Sequence, residues 1–288
     1  MKTALVTGGA GFVGTNLIKR LLKENYKVIS LDNYSSGFKS NEQEGCNYIE
    51  LDIASKSFKD KIENSDYIEG VDVIFHLAAL ARIQPSLVDP FHHVNNNIQG
   101  CLNILEIART KNIPVVYAGS SSFHHGLYES PYAWSKWSGE EMCKLYSKVY
   151  EVETSICRFY NVYGEHQIET GTYATVIGIF QKQYREQLPL TITGNGEQRR
   201  DFTHVNDIVD GLFRCSQHKF YAEIFELGRG ENHSINELAN YFGKDVEKTY
   251  IPARKGEYDI TLCDFSKASK LLGYNPQLNL SDYIKSIL

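Results

Sequence analysis

The most constraining feature of the chain is the run Thr7-Gly8-Gly9-Ala10-Gly11-Phe12-Val13-Gly14, set between the short apolar segment Thr3 to Val6 and the amphipathic segment Phe12 to Glu24. A strand that turns through glycines straight into a helix can bring backbone N–H groups up to a pyrophosphate, whose charge then sits at the positive end of the helix. That turn commits the chain to a βαβ start. Leu31-Asp32 closes the next apolar segment eighteen residues after Gly14. A carboxylate there accepts from both ribose hydroxyls and repels a 2'-phosphate, so NAD is expected over NADP.

The rest of the chain alternates in the same way. Continuous apolar runs at Thr3 to Val6, Lys27 to Leu31, Tyr48 to Leu51, Asp72 to Phe75, Pro114 to Tyr117 and Thr154 to Arg158 have the character of parallel strands covered on both faces. Helices are predicted over Phe12 to Glu24, Ser57 to Asn64, Asn95 to Thr110 and Pro131 to Val149. After Gly164 the order loosens, with helices near Tyr173 to Arg185, Ile235 to Phe242 and Ser266 to Leu272, and short strands near Leu190 to Thr193 and Ile224 to Leu227. The expectation is an α/β fold with a doubly wound, Rossmann-type parallel sheet in residues 1–164 and a smaller, irregular, substrate-binding part in residues 165–288. Residues of about 201–217 are expected to return to the first unit.

Composition narrows the function. With 288 residues, 42% of them apolar, the chain can bury a full core without disulfides or a structural metal. Thirty basic against thirty-five acidic side chains leave a net charge of -5, which disfavours a nucleic-acid partner. No segment approaches the length of a membrane span, and the start lacks the long apolar stretch of a signal peptide. Cys46, Cys101, Cys143, Cys157, Cys215 and Cys263 lie at least fourteen residues apart. With no CxxC pair, they read as buried free thiols in a cytoplasmic protein.

Tyr132-Ala133-Trp134-Ser135-Lys136 sets a phenol and an ammonium one helical turn apart on one face. Spacing of this kind arises by chance in a chain with 19 Tyr, and a surface pair is the plain alternative. Position adds weight, because Ser130-Pro131 supplies an N-cap and a first-turn proline. Tyr132 then stands where the helix dipole and Lys136 both favour phenolate, as a base near neutral pH requires. The preceding strand candidate runs into Ser120-Ser121-Ser122, hydroxyls at the C-terminal edge of an open sheet.

Taken with His76-Leu77-Ala78-Ala79, Arg158-Phe159-Tyr160-Asn161-Val162-Tyr163-Gly164, Arg200-Asp201-Phe202-Thr203-His204-Val205 and Arg254-Lys255-Gly256-Glu257, the glycine turn resembles the extended short-chain dehydrogenases/reductases. Within them, the pattern is similar to the NAD-dependent nucleotide-sugar epimerases and dehydratases, and closest to the UDP-hexose 4-epimerases. The resemblance spans residues 3–276. It implies a catalytic set of Ser120, Tyr132 and Lys136, with Ser121 and Ser122 as other choices for the serine. It implies NAD contacts at Gly8, Gly11, Phe12, Val13, Gly14, Asp32, Asn33, Asp52, Ile53, Leu77, Ala78, Ala79 and Asn97, besides Tyr132 and Lys136. For a nucleotide-sugar substrate it implies Ser121, Ser122, Asn161, Arg200 and Arg254, with Thr261 as a gate on the sugar 2-substituent. It also implies a homodimer through the helices Asn95 to Thr110 and Pro131 to Val149.

The expected activity is 4-epimerisation of a UDP-hexose or UDP-N-acetylhexosamine through a 4-keto sugar. The alternatives are a dehydratase or reductase on the same scaffold, or a catalytically silent NAD-binding regulatory protein. Dehydratases of the family carry an Asp-Glu pair where this chain has serines. A departure from the pattern is Phe123-His124-His125-Gly126, followed by only five residues before Tyr132. Adjacent histidines with no carboxylate beside them in sequence are not read as a metal site.

Overall fold

A computed structural model describes residues 1–254, 256 and 258–288; Lys255 and Glu257 of the Arg254-to-Glu257 motif lie outside the described residues. Seven parallel strands form one sheet, in the order Tyr221–Leu227, Thr154–Phe159, Val115–Ser120, Val73–His76, Thr3–Thr7, Lys27–Asp32 and Cys46–Glu50. The chain leaves the central strand Thr3–Thr7 toward one edge and returns to its other side with Val73–His76. That reversal opens a crevice at the C-terminal ends of these two strands, where open α/β sheets bind ligands.

Alternation along each strand divides the core. Leu5, Ile29, Ile74, Val115 and Ile156 pack with Cys101, Ile104, Leu105, Cys143 and Tyr146 from the helices Pro90–Lys111 and Pro131–Tyr150. Ala4, Val6, Val28, Phe75, Cys157 and Phe225 point to the other face. There they meet the helices Phe12–Lys23, Val205–Cys215 and Ser266–Leu272. A third cluster, with Phe180, Leu190, Ile192, Leu238 and Phe242, holds the C-terminal part together.

Three differences from the sequence reading have physical causes. The long helix begins at Pro90 and not at Asn95, because Asp89 caps it by accepting from the His92 N–H at 3.0 Å and Pro90 occupies the first turn. The part returning to the sheet is larger than 201–217: strand Tyr221–Leu227 and helix Ser266–Leu272 join it, and their apolar faces carry no mark of the partner they pack against. Helices Ile83–Val88 and Leu280–Ile287 and strand Lys248–Ile251, which pairs with Leu190–Thr193, were not expected. They are four to eight residues long, too short for a clear period.

Candidate active site

The glycine turn is fixed by close backbone approaches. Gly8 has φ +75°, and a Cβ there would lie 2.9 Å from Ala78. At Gly14 a Cβ would meet the Gly8 carbonyl at 2.1 Å, so this glycine lets helix Phe12–Lys23 pack against its own turn. Gly11 differs: a Cβ would meet only the Gly8 oxygen, at 3.2 Å. Its open side faces the crevice, and as N-cap it offers no side chain to the first-turn N–H groups. An uncapped helix start with no acidic residue in its first turn suits an anion.

Asp32 sits at the end of the next strand, 7% exposed, with one oxygen taking the Ala10 N–H at 2.9 Å and the other the Tyr34 N–H at 2.8 Å. Burial raises its carboxyl pKa and those two bonds pull against the rise. Across the crevice Thr7 Oγ accepts from the Ala78 N–H at 3.1 Å and bonds His76 Nδ1 at 2.8 Å, tying the two strand ends together. One cavity runs over this floor. Its lining includes Gly8, Gly11, Phe12, Val13, Gly14, Asp32, Asn33, Asp52, Ile53, Leu77, Ala78, Ala79 and Asn97, but not Tyr132 or Lys136, the other two residues expected at the cofactor. Asp52 accepts the Ala54 N–H at 2.8 Å. Asn97 clamps the wall, with its amide on both polar backbone groups of Leu80 and on Ser135 Oγ at 2.9 Å.

Helix Pro131–Tyr150 starts as its sequence dictates, with Ser130 Oγ accepting the Ala133 N–H at 3.1 Å. Tyr132 Oη donates to Ser120 Oγ at 3.4 Å, while the Ser122 hydroxyl and N–H also give to that oxygen at 2.8 and 3.2 Å. Those donors leave the Ser120 hydroxyl hydrogen free to turn toward the phenol once Tyr132 is ionised. Of the three serines, Ser120 is the one shown bonded to Tyr132; Ser122 serves it, and Ser121 is half-buried beside it.

Burial raises the Tyr132 pKa, and Ser120 and the Arg82 guanidinium oppose the rise. Lys136 stands over the face of the Tyr117 ring, its nitrogen 4.4 Å from the centroid, and burial lowers its pKa to about 8. Arg82 escaped the sequence reading. It has φ +116°, a region costly for a residue with a Cβ, and it lines the cofactor cavity while donating to the Tyr173 carbonyl at 3.2 Å. The legible signal was a lone arginine inside the otherwise apolar run Leu77 to Ile83.

The shortened loop is anchored by a buried charge chain. Arg158 pairs with Glu140 at 2.6 Å and Glu226 at 3.0 Å, stacks on Phe123 at 3.5 Å, and Glu226 also meets His124 at 2.9 Å. On the substrate side, Asn161 donates to the Thr261 hydroxyl at 3.0 Å and the Asp201 carbonyl at 3.1 Å. Thr261 is 3% exposed, and its hydroxyl also accepts the Asp201 N–H at 3.0 Å. The hydroxyl of Thr261, the residue expected as a gate, is thus taken up by Asn161 and Asp201. Arg200 is half-buried and donates to the Arg199 carbonyl at 2.9 Å, whereas Arg254 is exposed on the loop after Lys248–Ile251.

The chain matches the pattern of the NAD dependent epimerase/dehydratase family over residues 4–228. A protein of Methanocaldococcus jannaschii is 35% identical over 99% of this chain and 96% of its own length. The UDP-glucuronate 4-epimerase of Thermodesulfobacterium geofontis is 32% identical over 98% of this chain and 93% of its own. Among solved structures, UDP-glucose 4-epimerase with UDP-glucose from Thermotoga maritima superposes with a TM-score of 0.92 at 29% identity, over 98% of this chain and 96% of that one. The Rossmann-type sheet, the glycine floor and these relatives together show that the chain belongs to the NAD-dependent epimerase/dehydratase family.

Proposed function

We propose that this protein is a nucleotide-sugar 4-epimerase acting on a UDP-hexose or UDP-N-acetylhexosamine, with NAD held in the crevice and restored in each turnover. The residues fit that cofactor: an uncapped helix start for a pyrophosphate, Asp32 for a ribose, and a cavity joining both. Bound there, NAD supplies hydride acceptance and return at sugar C4 and a unit of positive charge to the site. The observation that carries the reading is the Tyr132 to Ser120 contact at 3.4 Å, with Arg82 shared between Tyr132 and the cofactor cavity.

Tyr132 takes the proton of the sugar 4-hydroxyl as the C4 carbonyl forms, and gives it back on re-reduction. Ser120 donates to the oxygen as charge develops, held in place by Ser122. Because burial holds the phenol up in the free protein, Tyr132 becomes a base only with positive charge close by. Arg82 contributes to that, and Lys136 would hold the nicotinamide ribose of bound NAD. Asn161, kept in orientation by Thr261, and the Arg200 and Arg254 guanidinium groups hold the nucleotide diphosphate. A 4,6-dehydratase would need an acid-base pair where Ser121 and Ser122 stand. The two long helices, with Val88, Phe91, Leu145 and Val149 exposed on or beside them, are the expected homodimer surface, and six free thiols suit a cytoplasmic protein.

Incubation with UDP-, GDP- and dTDP-sugars and chromatographic separation of the products tests the reading. A C4 epimer from a UDP-sugar is the expected product, and a 4-keto-6-deoxy sugar would contradict it.

A further inference from the structure

The cofactor crevice has two lips drawn from distant parts of the chain. Asn33, Ser35 and Ser36, in the loop after strand Lys27–Asp32, line one side of the cavity, and Ile168, Tyr173 and Thr175 line it from the C-terminal part. The first loop passes through Gly37, where a Cβ would lie 2.8 Å from the Ala10 carbonyl carbon, and reaches Asn41. The second is entered at Glu165 and His166, just ahead of Ile168.

A row of polar contacts joins the two. Lys19 Nζ, on helix Phe12–Lys23, meets His166 Nε2 at 2.6 Å; His166 Nδ1 meets Asn41 Oδ1 at 3.1 Å; Asn41 Nδ2 donates to the Ala10 carbonyl of the glycine turn at 3.0 Å. The ends of the row fix its direction. A backbone carbonyl only accepts, so the Asn41 amide turns its nitrogen to Ala10 and its oxygen to His166, while an ammonium only donates. The ring between them must accept at Nε2 and donate at Nδ1, which only the neutral imidazole does. His166 holds φ +65°, a conformation uncommon for residues with a Cβ, and Asn16 fixes the residue before it by donating to the Glu165 carbonyl at 2.8 Å. Protonation of the ring would remove the acceptor for Lys19 and set a second positive charge beside it. Burial and Lys19 accordingly lower the His166 pKa, against the pull of the exposed Glu165 carboxylate.

We infer that His166 is a positioning residue for NAD: it latches the two lips of the crevice to each other and to the glycine turn, slows release of the bound dinucleotide, and lets go when its ring is protonated. The latched ring takes a proton less readily than a free one, so the latch is at full strength above the ordinary histidine value of 6.5 and weakens as pH falls below it. The inference rests on NAD as the occupant of the crevice and is independent of the sugar substrate.

Protein loaded with tritium-labelled NAD and chased with excess unlabelled NAD reads the release rate, at pH about 7.5 and about 5.5, beside melting curves. Wild type is expected to release faster at the lower pH, by up to about tenfold. His166→Leu is expected to release roughly tenfold faster at the higher pH, as two hydrogen bonds are gone, and to lose the acid response. His166→Gln should stay within about threefold of wild type at the higher pH and also lose the acid response, because a carboxamide accepts from Lys19 and donates to Asn41 without titrating. Lys19→Met, a change on a half-buried helix position, should release faster with a weakened acid response, and it keeps the inference open to test should His166→Leu fail to fold. Release unchanged in His166→Leu and Lys19→Met overturns the inference. So does an acid response kept in full by both His166 variants, or an equal acceleration by Leu and Gln with lowered melting temperatures, which marks a contact that only holds the fold. Wild type that takes up no labelled NAD refutes the cofactor reading, and the inference with it.

Discussion

The floor of the crevice and its substrate-side wall are built by different means. On the floor, the demands fall on the backbone and are local: Gly8 and Gly14 make room for Ala78 and for the turn itself, and Asp32 is held by N–H groups of Ala10 and Tyr34. On the wall, side chains drawn from distant parts of the chain meet. Arg82, Ser120, Asn161 and Thr261 come from separate strands and loops, and Tyr132 from the first turn of a helix. A floor of the first kind recognises a group common to a whole family, whereas a wall of the second kind can change its ligand by changing one loop.

The sharpest way to separate the two is Tyr132→Phe. Deleting one hydroxyl should cost at least 10²-fold in turnover and leave NAD in the protein, as read by product chromatography and by mass spectrometry of the denatured protein. Near-normal turnover would move the base elsewhere on the wall.

Next in size is Arg158→Met, which leaves Glu140, with a side chain 1% exposed, without its partner. Breaking a buried pair in this way costs about 3 to 5 kcal/mol, read as a shift of the urea midpoint. A cost near zero would mean the Phe123-to-Gly126 loop is held by something other than this charge chain.

The pH response separates floor from wall again. Lys136 is charged in both folded and unfolded protein below pH about 8, where its burial cost is fully present. Between about 8 and the ordinary lysine value of 10.5 the unfolded chain binds the extra proton, so this group's contribution to stability improves as pH rises. NAD affinity should move the other way, falling by up to about tenfold per pH unit above about 8 as the folded ammonium is lost. Affinity flat to pH 10 by calorimetry would show that Lys136 does not hold the cofactor.

Thr261→Val is the smallest effect. It removes the hydroxyl that orients Asn161 and should lower turnover of plain and acetylated UDP-hexoses alike, by roughly tenfold or less. Selective loss of the acetylated sugar would instead mark Thr261 as a gate.

The sequence revealed most where structure is enforced locally. Parallel strands buried on both faces show as continuous apolar runs, and Ser130-Pro131 announces a helix start that the structure keeps. Asp89-Pro90 carries the same signal, but the six residues that follow before Asn97, two histidines and two asparagines among them, hid it. What a side chain does after a long-range contact forms was not legible. Nothing local announces that the Thr261 hydroxyl meets Asn161 and Asp201, or that Lys136 stands over the ring of Tyr117. Arg82 acts through a backbone conformation that no local pattern announces.

The central claim is that one hydrogen leaves C4 of a UDP-hexose and returns to the other face of the same carbon. Running the reaction in deuterium oxide and reading the product by proton NMR tests this directly. The account predicts the C4 epimer with no deuterium at C4 or elsewhere on the sugar carbons, because the hydride never exchanges with solvent. Deuterium bound to a ring carbon or to C6, or no epimer from any nucleotide sugar, would contradict it.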